Sequence, residues 1–118
     1  MRRSRPRIRP KALRARDATR VDPTGHRVVF ETRHLRVVEA RLPKGKAVAL
    51  HSHQPRLIVP LTTYRLKVTL PDGRTAVARR RPGEFKWVNY EVHSIEVLAG
   101  NVHNLEVEIK SARRKLRR

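Results

Sequence analysis

The chain has no cysteine, which removes disulfide frameworks, thiolate metal sites and cysteine nucleophiles together. It also lacks any stretch near the roughly 18 consecutive apolar residues of a membrane span. The N-terminus is basic but has no apolar segment of the kind a secretory leader needs, and with Ser4 and Thr19 as its only hydroxyls it makes a poor organellar transit peptide. A cytoplasmic protein without membrane contact is the expectation. No glycine-rich phosphate loop, G-x-S-x-G or H-E-x-x-H occurs, so the local signatures of nucleotide enzymes, serine hydrolases and zincins are missing. Paired carboxylates are absent from the expected interior as well. Glu31, Glu39, Glu84, Glu96, Glu106 and Glu108 fall at strand edges or on polar faces, which disfavours two-carboxylate glycosidase chemistry.

Acids are few: 10 Asp and Glu stand against 29 Lys and Arg in 118 residues, a net charge of +19. The excess is unevenly spread. Residues 1–20 hold nine bases and one acid, and residues 111–118 hold five bases and no acid, so the two ends carry 13 of the 19 charges. Both ends are too basic and too poor in apolar side chains to offset the cost of ordering, and they read as disordered tails on one small domain spanning 21–110. Such arms allow nonspecific, salt-dependent contact with nucleic acid. Aromatic residues make up 4% of the chain, and with no recognition helix or aromatic RNA-reading strand, solvated tails are the favoured reading.

Within the domain, short β-branched or alternating runs recur between turn residues. They cover 27–32, 35–42, 47–53, 57–61, 64–70, 75–80, 84–89, 92–98 and 103–110, about nine strands at the spacing of an all-β sandwich or barrel. Pro43-Lys44-Gly45, Pro71-Asp72-Gly73, Arg81-Pro82-Gly83 and Gly100-Asn101 supply the turns. Alternation then assigns faces. Leu66, Val68 and Leu70 point inward, His93 shares the inward face of Ile95 and Val97, and in the last run Leu105, Val107 and Ile109 form the buried side, with His103 on it.

Six histidines are present, and two of them, His51 and His53, lie one residue apart in an extended run. They therefore project from one face with Cα atoms about 7 Å apart. Two neutral imidazoles on one face chelate a first-row transition metal (Fe, Mn, Ni, Cu or Zn), and His93 is the candidate third ligand from another strand. Phe85 and Trp87 alternate on one face as barrel filling or a stacking wall, and Arg56 and Tyr64 flank the strand after the histidine pair, where either could orient a carboxylate. With His103 these form the candidate substrate pocket. His26 and His34 are expected in solvent.

Gly45, five intervening residues and His51-Ser52-His53, followed by residues 57–62 and Pro71-Asp72-Gly73, resemble the first motif of the cupin superfamily. Pro82-Gly83 through His93 resembles the start of the second motif, whose histidine is the last metal ligand. The resemblance spans about residues 27–110 and implies a double-stranded β-helix, a jelly-roll barrel that dimerises and carries a metal at its centre. The chain departs from the family pattern in several places. Leu57 or Ile58 stands where the family has a glutamate ligand, Tyr64 replaces a glycine, Asn89 and Glu91 replace a proline and a glycine, and His93 arrives one residue early. Some cupin dioxygenases hold iron with three histidines alone, so the expectation is a metal-dependent oxygenase or isomerase acting on a small, anionic metabolite. The alternative is a noncatalytic binding or sensing barrel.

Overall fold

The computed structural model describes residues 15–111. One helical turn, α1 (Ala18–Val21), precedes nine strands: β1 (His26–Glu31), β2 (Leu35–Leu42), β3 (Ala47–His53), β4 (Arg56–Pro60), β5 (Tyr64–Thr69), β6 (Thr75–Arg80), β7 (Lys86–Val88), β8 (Glu91–Gly100) and β9 (Val102–Ile109). They form two antiparallel sheets, one in the order β1-β2-β9-β4-β7 and the other β3-β8-β5-β6. Neighbours in the sheets are mostly distant in sequence, as the crossing connections of a jelly roll require.

The stretch read as an N-terminal tail is in part built into this fold. Asp17 caps α1 by accepting from the Thr19 amide, forms a bridge to Ser52 and pairs with Arg36, while Ala18 is buried. The remainder of both expected tails, residues 1–14 and 112–118, lies outside the described residues.

Ala40, Leu42, Val48, Tyr64, Ile95, Val97 and Val102 form the apolar core between the sheets. The alternation expected for β5 and β8 holds: Leu66 and Val68 pack on this core, and His93, Ile95 and Val97 are buried. In β9 the faces are reversed. Val102, Asn104, Glu106 and Glu108 are buried, whereas His103, Leu105, Val107 and Ile109 are only half-buried. The charged face points into the barrel because partners wait there: Arg36 donates to both oxygens of Glu108, and Arg56 donates to Glu106.

Consequently the outer face of the five-stranded sheet is apolar. Cross-strand pairing aligns Phe30 with Val37, Val37 with Val107, Val107 with Leu57 and Leu57 with Trp87, one row across all five strands. The other sheet presents Arg65, Lys67, Arg79 and Glu96 outward, all exposed.

Candidate metal centre

The histidines converge through a defect in β3. Val48 faces Ile95 of β8, and the next pairing, His51 with His93, comes three residues later on β3 but two on β8. This one-residue bulge changes the phase of the strand. Without it, the inward position of Val48 would be continued by Leu50 and Ser52; with it, His51 and His53 turn into the barrel opposite His93. All three are buried, and a nitrogen from each lies within 4.8 Å of the others. The rings meet edge to face, with centroids 4.7 to 5.1 Å apart.

Burial lowers the pKa of each ring. It pushes His51 down and His53 well down, and takes His93 to about 3. Neutral imidazoles keep a lone pair for a ligand at neutral pH. His51 Nδ1 donates to the Ala49 carbonyl within the bulge at 2.7 Å, so Nε2 is its free acceptor. That atom lies 3.0 Å from His53 Nε2. With metal–nitrogen bonds of about 2.0–2.1 Å, two ligands at a right angle stand roughly 3.0 Å apart. The His51 and His53 pair therefore has the separation of two ligands on one transition-metal ion, with His93 as the third imidazole beside them.

Behind the rings lies a charged network. His53 Nδ1 is 3.6 Å from Glu106 Oε1, and His93 Nδ1 is 3.5 Å from Glu91 Oε1. One guanidinium joins the two carboxylates: Arg56 Nε donates to Glu106 and Nη2 lies against Glu91, both at 2.9 Å. Burial opposes the charge on Arg56, but the two glutamates outweigh it and hold its pKa above the ordinary value. Asn104 extends the network, lying 3.4 Å from Glu106 and accepting from Tyr64 Oη. Burial raises the Tyr64 phenol to about 12, so it stays a proton donor.

A cavity of about 140 Å³ opens between the sheets, with His53, His93, Arg56, Tyr64 and Glu106 on its wall. Of the five expected pocket residues, Arg56 and Tyr64 are thus in place. The other three are elsewhere. Phe85 is 65% exposed. Trp87 lies on the outer apolar row and donates to Asn89, and His103 faces outward to Glu39 at 2.8 Å.

His26, expected in solvent, is 2% exposed and lies on the cavity wall. Its Nδ1 meets Asp22 at 3.1 Å, and its ring is 5.8 Å from both His51 and His53. No alternation around His26 marked it, since the rest of β1 is exposed. Glu106 and Glu91 were also missed as interior groups, Glu106 because its neighbours Leu105 and Val107 claimed the buried face.

No family model matches the chain in sequence, and no curated protein resembles it significantly. Solved structures do match in fold. A cupin domain from Bordetella pertussis Tohama I superposes with a TM-score of 0.63 at 23% identity, covering 71% of this chain and 90% of that one. An RmlC-like cupin family protein with a double-stranded β-helix fold, from Methanocaldococcus jannaschii, gives 0.58 at 16% identity over 79% and 84%. A cupin superfamily protein from Desulfitobacterium hafniense DCB-2 gives 0.51 at 14% identity over 71% and 74%. The described chain has the cupin fold, a double-stranded β-helix, with a three-histidine cluster inside it.

Proposed function

We propose that the protein is a metal-dependent enzyme, an oxygenase or isomerase of a small, anionic metabolite, with His51, His53 and His93 as ligands to iron, manganese, nickel, copper or zinc. The observation that carries this reading is the 3.0 Å approach of the His51 and His53 Nε2 atoms beside a third buried imidazole. Three neutral ligands leave the ion its full charge, and when bound it supplies Lewis acidity or redox capacity. The protein's own residues do the rest. Ala49 fixes the His51 ring, Arg56 holds Glu106 and Glu91 behind the other two, and the apolar part of the cavity wall limits water. The cavity is smaller than the roughly 300–1,000 Å³ of drug-sized ligand sites, so the substrate is small. The reading includes a homodimer working in the cytoplasm, where a chain without cysteine forgoes nothing.

Elemental analysis of protein purified without an affinity tag tests this. Near-stoichiometric metal in the native chain, lost in the His51→Ala/His53→Ala double variant, is expected. Trace metal in both would leave the noncatalytic barrel as the better description.

A further inference from the structure

One group on the cavity wall has no part in holding a metal. Arg56 is 3% exposed, and its Nε and Nη2 are committed to Glu106 and Glu91. Its Nη1 is buried with no protein acceptor. A guanidinium nitrogen always carries hydrogens and cannot accept, and a buried donor left unmet is costly. An acceptor therefore belongs beside Arg56, on a wall shared with His53 and His93.

The charges on that wall indicate which acceptor. Arg56, Arg80 and Lys86 contribute three cations, and Glu91 and Glu106 two carboxylates. Both carboxylates are taken by Arg56. Among the described residues, Arg80 and Lys86 have no carboxylate partner, and they sit on β6 and β7 at either side of the turn at 81–83. Leu42, Ile58, Val68 and Ile95 give the wall an aliphatic part, beside the neutral polar side chains of Tyr64 and Asn104. A small ligand with one anionic end and a short aliphatic body matches all three features.

We infer that the cavity is a carboxylate site: an oxygen of a short-chain carboxylic acid accepts from Arg56 Nη1, Arg80 and Lys86 supply the balancing charge, and the acid's other end faces His53 and His93. This deepens the proposed enzymatic reading and rests on it for the meaning of that other end. The anion site itself is built from groups that do not ligate metal, so the two can fail separately.

The probe is malonate, with malonamide as its neutral counterpart of the same shape, titrated calorimetrically into full-length protein at low ionic strength and pH 7. Chelator-treated and zinc-loaded samples are run side by side. Malonate is expected to bind about tenfold or more tightly than malonamide, the margin of a charge-assisted hydrogen bond. Arg80→Gln/Lys86→Gln should weaken malonate by about five- to tenfold and move the thermal midpoint little, because Arg80 donates to the exposed carbonyl of its neighbour Arg79 and neither side chain pairs with a carboxylate. Arg56→Gln would strand two buried carboxylates and is unsuited to the test. Arg56→Lys keeps the charge between the two glutamates with one nitrogen in place of three, leaves none for the ligand, and should lose malonate while circular dichroism still reports the barrel. Equal affinity for malonate and malonamide overturns the inference, as does malonate binding indifferent to both variants. Metal uptake without malonate binding overturns it and spares the metal centre. Malonate binding without metal uptake supports it and removes the metal reading.

Discussion

His51, His53 and His93 are uncharged in the folded chain because their rings have left water, with His93 at about 3, whereas a histidine in the unfolded chain titrates near 6.5. Between those values the unfolded state takes up protons that the folded state refuses. The stability of the metal-free protein is therefore intact above about pH 6.5 and falls as pH drops from there toward 3. Most carboxylates titrate below about 4.5, and Glu108, which burial raises, would move stability the opposite way as pH falls, so a loss between pH 7 and 5 reports the histidines. The urea midpoint measured with chelator present is expected to fall across that interval, and to fall less in His93→Gln. A flat midpoint would mean that the rings are solvated or charged. This trio was legible in sequence because two histidines spaced by one must share a face in any extended strand, and because the alternation around His93 is regular. Arg56 was visible only as a neighbour of the pair. Glu91 and Glu106 were not visible, because each lies inward for the sake of Arg56 on a remote strand, and His26 was not visible because the rest of β1 is exposed and gives no inward face to share.

Strand β9 shows the limit of alternation. The period of two in residues 103–110 is clear, but the period does not say which face is inside. The inference that the apolar face is buried fails when a barrel encloses a charged network and exposes an apolar sheet. The bulge in β3 is a second case: Val48 and Leu50 alternate as though in phase, and only the pairing with β8 reveals the extra residue that turns His51 inward. Turns were better recorded in the sequence, since their constraint is local. Gly100, the last residue of β8, has φ +71° and a position where a Cβ would stand 2.3 Å from the Thr63 carbonyl oxygen, whereas Gly45, at φ +89°, has nothing within 4 Å. Gly45→Ala should cost about 1–2 kcal/mol, the penalty of left-handed backbone. Gly100→Ala adds a collision with main chain and should cost about 3 kcal/mol or more. Urea unfolding of the two variants measures the difference, and equal losses would show that the β8–β9 connection does not pack on Thr63 as described.

The two sheets differ in what they show to the outside, and the difference bears on assembly. The β3-β8-β5-β6 sheet presents exposed arginine and lysine, as a solvated face should. The β1-β2-β9-β4-β7 sheet presents the row from Phe30 through Val37, Val107 and Leu57 to Trp87, flanked by Leu35, Ile109, Leu105 and Val59. Contiguous apolar faces of this kind mark interfaces, and the inverted polarity of β9 is consistent with a strand that is covered on both sides. We propose that a second copy of the chain covers it. The face is uncharged at its centre, and charges of both signs flank it at either end, with Glu39, Arg41 and His103 at one and Glu31 and Lys110 at the other. A twofold contact needs such a self-complementary surface. Light scattering at micromolar concentration should give twice the chain mass for the native protein. Leu57→Lys/Val107→Lys puts two cations at the centre of the row and should give the single mass with metal content unchanged, because both side chains point away from the cavity. A native monomer, or a variant that stays paired, would mean that this face is not where the copies meet.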